Sequence, residues 1–542
     1  MFKYITKRIR YQSLQSKNRD RSSSLNNDSK ARVLPDLKDN LEVIRGILCT
    51  SSDIVIHEFS FGHDRQFKGA LVYVDSLVNK DELHVNILKP LMYDALLLKD
   101  NGNMDFSNID TIQRDLIFIM DNKKISLISE LIDSVLTGSA VLLVNGSENA
   151  LMINSKKWET RGIQEPETES VVRGPREGFN ENVSVSLALL RRKIKDPNLC
   201  MEGLKIGDKS KTQIYIVYLK NIVNPKLIDE IRVRLQRIKI DAILESGYIE
   251  QFIEDAPYSI FSTVSNSEKP DKVAAKILEG QAAILVDGTP FVLLVPMLFF
   301  SSFQSSEDYY SRPFFSSIVR VIRFLAYTVS ILAPATYVAL TVFHQELIPT
   351  QLLISIAAGR EKVPFPAVLE AFLMLITFDI LREAGVRLPR PVGQTVSIVG
   401  AIVLGQAAVE AGLISPIMVI VVALTAIASF VVPPQADSGT VLRYLYLSLA
   451  GMGGGFAIIM GILVTLLHLA SLRSFGTPYL WPIAPLDFSS AKDIFIRMPL
   501  WTLTRRPGAI VWSGNSSYKQ NTGLMPSPGK GKENNNRGEE QE

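Results

Sequence analysis

At 542 residues and a net charge of +3, the chain is long enough for two or three domains and too weakly basic to point to a nucleic-acid partner. Averages of 21% charged and 47% hydrophobic residues look soluble but hide two populations. Charges are spread throughout up to about residue 310, after which uncharged runs occupy 324–345, 391–409, 411–436 and 444–472; runs of this length fit lipid better than a soluble core.

Residues 1–35, rich in Ser, Asn, Lys and Arg, read as a disordered basic tail that is solvated or touches anionic lipid. The start, MFKYITKRIRYQS, has no apolar core for a signal peptide, so the region before the first membrane segment is expected in the cytoplasm. Cys49 and Cys200 suit that reducing compartment and suggest no disulfide framework. The five histidines have no metal-ligand spacing, and no GxSxG, HExxH or Walker loop is present, so neither catalysis nor a cofactor is expected. Carboxylates of the soluble part read as surface charges.

A first α/β subdomain is expected over 36–155. Leu37–Leu48 has helical apolar spacing, Asp53–Phe59 and Gly69–Val74 are β-rich, helices follow near 81–98 and 125–136, and AVLLV at 140–144 is a further strand, with a turn at Asn145-Gly146. Residues 156–183 read as a linker carrying the loop Arg173-Gly174-Pro175-Arg176-Glu177-Gly178-Phe179. A second α/β subdomain is expected over 184–310, with a basic helix at 184–195, a strand at 212–219 and a helix at 225–238. The run AAILVDGTPFVLLVP at 282–296 is apolar enough to span a membrane, but Asp287-Gly288 between two β-rich stretches predicts a hairpin. An aspartate at mid-bilayer would cost about 2.5–3.5 kcal/mol.

A helical membrane domain is expected over 311–475, with segments at about 318–343, 392–411, 413–432 and 444–470 and an ambiguous one at 352–381. Arg312, Arg320 and Arg323 put the start of the first on the cytoplasmic side. The ambiguous stretch is interrupted by Arg360, Glu361, Lys362, Glu370 and Asp379 and broken by Pro364 and Pro366. Glu370 and Asp379 would sit at bilayer depth, either paired with Arg360 or Arg382 or serving ion passage. The Gly-rich stretch at 451–455 lacks the strand and lysine of a nucleotide loop and reads as close helix packing. A basic region over 476–512 suggests a cytoplasmic C-terminal part, which needs an even number of spans against five candidates; a disordered tail at 513–542 follows.

The chain is organised around Arg387–Pro434, two apolar runs behind a basic collar. In the first, Gln394, Ser397, Ala401, Gly405 and Ala408 fall at helical spacing on one small, polar-tinged stripe. Such a stripe packs tightly against another helix or faces water in a pore. On the pore reading these five residues line it, and on a neighbouring face Val399 and Ile402 are an alternative gate that closes by dewetting.

The chain resembles the A subunits of the GerA-type spore germinant receptors. The resemblance rests on EPETESVVRGPREGFNENVSVSLALLRRKIKDP, AAILVDGTPF, SSEDYY, LIPTQLLISIAAGREKVPFPAVLEA, LREAGVRLPRPVGQTVSIVGAIVLGQAAVEAGLISPIMVIVVALTAIASF and HLASLRSFGTPYLWPIAPL, and it covers roughly 40–507. It implies a multi-pass protein of the spore inner membrane that works beside a transporter-like B subunit and a lipoprotein C subunit. It further implies a homo-oligomer, a pentamer, forming a nutrient-gated cation channel, or the paralogous amplifying channel. A non-conducting scaffold using the 173–179 loop as a subunit contact is the competing reading.

Overall fold

A computed structural model describes residues 31–48, 51–62, 65–94, 109–117, 122–156, 165–166, 168–387, 405–488, 491–503 and 505–511. The two expected α/β subdomains are present, each built on a five-stranded sheet in which every named pairing is antiparallel.

The first sheet comprises β1 (Ile54–Phe61), β2 (Phe67–Val74), β3 (Asn122–Ile125), β4 (Ala140–Val144) and β5 (Ala150–Ile153), in the order β1-β2-β4-β5-β3. The strand period of two divides its side chains. Val72, Val74, Val141 and Leu143 face helices α1 (Leu37–Ile47) and α2 (Ile128–Leu136), while Leu71, Ala140 and Leu142 face Leu83, Ile87 and Ile112. Both faces are covered, so β4 is buried at every residue.

The second sheet repeats the plan with β6 (Leu199–Ile206), β7 (Thr212–Leu219), β8 (Ser265–Ser267), β9 (Ala282–Val286) and β10 (Val292–Val295). Their order is β6-β7-β9-β10-β8. Helices α3 (Val183–Lys193) and α6 (Pro270–Leu278) cover one face, α4 (Pro225–Arg237) and α5 (Ser246–Ile253) the other. The Asp287-Gly288 hairpin forms as predicted, with Leu293 opposite Ile284 and Gly288 at φ +93°. Its strands are buried throughout, which explains why this soluble hairpin is as apolar as a membrane span. Strand β6, LCMEGLKI, escapes the sequence reading because Glu202 and Gly203 interrupt its apolar pattern.

Two expectations for the soluble part are corrected. Cys200 is disulfide-bonded, not a reduced thiol. Not every carboxylate is a surface charge either. Asp53 is buried and takes Arg191 of α3 at 2.9 Å, joining the two subdomains, and beside it the Ser51 hydroxyl oxygen accepts the Met201 N–H at 3.0 Å.

The second subdomain passes through the aromatic segment Phe299–Phe303 into α7 (Pro313–Val342). Then come α8 (Thr350–Arg360), α9 (Ala367–Arg387), α10 (Pro416–Ser429) and α11 (Ala436–Ser471). The ambiguous stretch is thus two helices broken around Pro364 and Pro366. Among the described residues, α7 and the stretch 433–471 are long and apolar enough to cross a membrane; α10, at 14 residues, is shorter than the run expected at 413–432.

Helix α11 is not straight. Gly453 and Gly454 leave helical φ/ψ, and Gly454 sits at φ +59° with Phe343 so close that an added Cβ would lie 2.7 Å from its ring. The chain reverses there. The Tyr446 and Thr465 hydroxyls are 2.8 Å apart, whereas a straight helix would hold these residues about 28 Å apart. The arms 436–452 and 455–471 therefore lie side by side, each about 25 Å long. The reversal abuts the end of α7, where the Gly455 N–H donates to His344 Nε2 at 3.2 Å. Both free ends return to the second subdomain: Gln435 donates to the Ser302 hydroxyl at 2.9 Å, and His468 meets Ser259 at 2.9 Å.

Candidate functional site

The stripe expected to line a pore lies partly outside the described residues: Gln394, Ser397 and Ala401, with Val399 and Ile402 of the alternative gate, fall there. Gly405 and Ala408 lie inside, on the helical turns at 405–410. Gly405 is buried, and a Cβ added to it would contact Val419 of α10 at 3.6 Å. Ala408 packs at the edge of the bundle core, and its carbonyl accepts the Leu413 N–H at 3.0 Å in the turn that follows. This end of the stripe thus packs against α10 within one chain.

The two carboxylates expected at bilayer depth are both paired, Glu370 in the buried core of the bundle and Asp379 half-buried. Glu370 is fully buried. Its Oε1 accepts from the Ser415 N–H and hydroxyl, both at 2.6 Å, and its Oε2 lies 3.8 Å from Arg360 Nε. Ser415 is the N-cap of α10, so Glu370 satisfies the cap from a separate helix. Asp379 takes two hydrogen bonds from Arg443 at 3.0 and 3.1 Å, a third from the Tyr444 hydroxyl at 2.5 Å, and has Arg382 at 3.6 Å. Arg360 and Arg382 are the partners expected from sequence. Arg443, 1% exposed, was legible only as a loop residue, because its charge ends an uncharged run without showing what it faces.

The loop at 173–179 divides in two. Arg173, Gly174, Pro175 and Arg176 are exposed, while Gly178 and Phe179 are buried. Phe179 anchors the base among α3 and α6 side chains, its N–H donating to the Glu268 carbonyl at 2.8 Å. Glu177 pairs with Lys193 at 3.3 Å and Arg192 at 3.7 Å, and Arg176 with Glu165 at 3.8 Å. Gly174, at φ +142°, lies against the Tyr310 ring where an added Cβ would be 2.8 Å away. Tyr310 donates to Asp271 at 2.5 Å just before α7 begins, so the loop touches the entry to the bundle.

That entry holds a charge network the sequence did not reveal. Arg320 of α7, 1% exposed, donates to Asp308 at 2.9 Å and to Asp493 at 2.7 Å. Arg323 adds 2.8 Å contacts to Asp308. Tyr309 donates to Asp493 at 2.7 Å, and burial together with that carboxylate holds its phenol well above the usual range. Arg320 and Arg323, three residues apart, share one face of α7, but Asp308 lies before that helix begins and Asp493 arrives from far along the chain.

These elements define a class: two soluble α/β subdomains fused to a helical bundle whose outer surface is apolar. The model of the GerA family, described as Bacillus/Clostridium GerA spore germination protein, matches residues 42–509, and the chain belongs to that family. It is 43% identical to Spore germination protein KA of Bacillus subtilis (strain 168) over 92% of this chain and 90% of that one. It is 44% identical to Uncharacterized membrane protein YfkQ of the same organism over 88% of this chain and 91% of that one. Identity to Spore germination protein GerLA of Bacillus cereus is 38%, over 86% and 94%. Among solved structures, the N-terminal domain of the A subunit of the Bacillus megaterium spore germinant receptor GerK3 matches at 34% identity and a TM-score of 0.39, covering 50% of this chain and 98% of that one.

Proposed function

We propose that the chain is the A subunit of a spore germinant receptor and that, as a pentamer in the spore inner membrane, it forms a nutrient-gated cation channel. A transporter-like B subunit and a lipoprotein C subunit complete the receptor. The observation that carries the membrane part is surface chemistry. Ile420 (65% exposed) and Ile427 (68%) on α10, and Phe456 (72%) and Ile459 (66%) on α11, present apolar side chains that lipid or neighbouring copies would cover.

The path of the chain supports a multi-pass topology. Helix α7 leaves the second subdomain, α9 returns, a further pass that we place between α9 and α10 leaves, α10 returns, and the two arms of α11 leave and return. That gives six passes, an even number, in keeping with a C-terminal segment that packs on the second subdomain through Trp481, Ile510 and Val511. On this reading Gln394, Ser397 and Ala401 line the pore, the stripe's far end at Gly405 and Ala408 packs on α10, and Val399 and Ile402 are the gate on the neighbouring face. Small residues leave room, and Gln394 and Ser397 can replace hydration. The exposed tip 173–176 serves as the contact between subunits.

The test is cation flux through liposomes holding the purified receptor, with cysteine substituted singly along 394–408. Thiol reagents are expected to block flux at the stripe positions. Uniform insensitivity would sink the pore assignment, and a receptor that triggers germination without passing cations would make the chain a scaffold.

A further inference from the structure

The first turns of α7 are amphipathic the wrong way round for a soluble helix. Ser316, Arg320 and Tyr327 on one side are buried, the arginine in the network with Asp308 and Asp493. Phe314, Ile318, Ile322 and Leu325, at helical spacing on the other side, are exposed, Phe314 by 87%. On the multi-pass reading, lipid does not reach the whole stripe. Helix α7 packs along α11 from Tyr327, beside Ser438, to Phe343, against Gly454, which is about 24 Å of helix. Phe314 precedes Tyr327 by about 20 Å, whereas the headgroup layer on each side of the hydrocarbon is roughly 5–8 Å deep. A protein surface is left to cover Phe314.

The second subdomain carries a matching surface on its other side. Helix α7 enters beside α6, where Tyr310 donates to Asp271 and Lys276 to Gln304, while α4 and α5 cover the opposite face of the sheet. There Tyr248 and Phe252, four residues apart on α5, and Tyr258 and Ile260 just after it are exposed, close to where Ser259 meets His468 at the foot of α11. Phe252 borders a hollow of about 330 Å³ that holds three carboxylates, Glu230, Glu254 and Asp255, and two arginines, Arg234 and Arg237. The charges of the two surfaces are complementary. Beside the stripe, Asp308 and Asp493 are taken up by Arg320 and Arg323, which leaves Arg312, Lys492 and Arg497 in excess of Glu307. Arg497 is buried and has no carboxylate partner among the described residues. The hollow carries the opposite excess, and Glu250 and Asp437 add to it.

We infer that the α7 stripe of one copy docks on the α5 face of the next, with Phe314 entering the hollow beside Phe252 and Arg312 meeting Glu254. The two surfaces differ and lie on opposite faces of the sheet, so the contact is head-to-tail and, in one membrane plane, closes into a ring instead of a two-fold dimer. This inference rests on the oligomer proposed above and names the surfaces that build it.

The experiment uses the full-length receptor in liposomes with Phe314→Cys, Phe252→Cys and the chain carrying both, oxidised with copper-phenanthroline and separated without reductant. The parent alongside reports any bond made by Cys49 or Cys200. The doubly substituted chain is expected to give a ladder of linked copies that ends at five, and a mixture of the two singly substituted chains to give linked pairs only. Either single variant linking to itself overturns the head-to-tail arrangement, and no ladder above the parent overturns the contact. In the doubly substituted background, Arg312→Glu and Glu254→Lys are each expected to cut the linked fraction about tenfold and together to restore it; a combination no better than the singles overturns the charge pairing. Lipid cover is the other outcome: Phe314→Trp fluorescence quenched by brominated lipid and not by aqueous acrylamide would place the stripe in the bilayer and overturn the docking. Cation flux is read from the same liposomes. A ladder without flux keeps the interface and fails the channel reading, whereas flux without a ladder fails the interface alone.

Discussion

Glu250 sits on α5 where the second subdomain meets the bundle. Burial pushes its carboxyl up to about 6, with Glu254, Glu245 and Asp437 adding to the shift and the Ser262 hydroxyl opposing it. A carboxyl raised above its unfolded value binds more protons when folded, so its contribution to stability falls as pH rises between about 4.5 and about 6. Glu250→Gln is therefore expected to stabilise the protein at pH 7, by at most roughly 2 kcal/mol, and to make no difference near pH 4. Thermal melts of the full chain in detergent at the two pH values check this, and equal effects at both would contradict it. Asp308 is a buried acceptor for both Arg320 and Arg323. Asp308→Ala strands those guanidiniums and should cost roughly 3–5 kcal/mol. A melting temperature unchanged from the parent would show that Asp493 alone suffices for Arg320.

At the scale of elements, the decisive feature is the reversal inside α11. Composition makes 444–472 a single span, and nothing in hydropathy separates one long helix from two short antiparallel arms. The glycines at 451–455 mark the place, yet small residues also suit helix packing. What shows the reversal is contact, with Gly461 so tight against Tyr446 and Leu449 that an added Cβ would lie 2.8 Å from the Leu449 side chain. On the proposed topology, this hairpin puts Met452, 82% exposed, on the opposite membrane face from Ser471. Cysteine at 452 should react with an impermeant reagent from outside and cysteine at 471 only from inside. Labelling of both from one side would refute the proposed six passes.

At the scale of the whole molecule, two neighbouring segments and a third from far along the chain meet where the α/β part joins the bundle. The aromatic turn at 299–303, the start of α7 and the C-terminal stretch at 493–497 share Arg320, Asp308 and Asp493. Buried ion pairs therefore tie the second subdomain to the start of α7. Much was legible beforehand: the Asp287-Gly288 hairpin, the helices expected at 225–238 and 184–195 and found at 225–237 and 183–193, the break at Pro364–Pro366 and the arginines available to Glu370 and Asp379. Local physics decides each of these, because turn chemistry, helix period and proline act over a few residues. The sequence by itself determined many of the elements, though not β6, and also the family and the divide between the charged and apolar halves. Only the tertiary structure decided that α11 doubles back, that Arg443 rather than a neighbour on α9 is the main partner of Asp379, and that Glu370 caps α10. Pairings of that kind depend on which surfaces meet in space, and residues dozens to hundreds of positions apart carry no local signal of it.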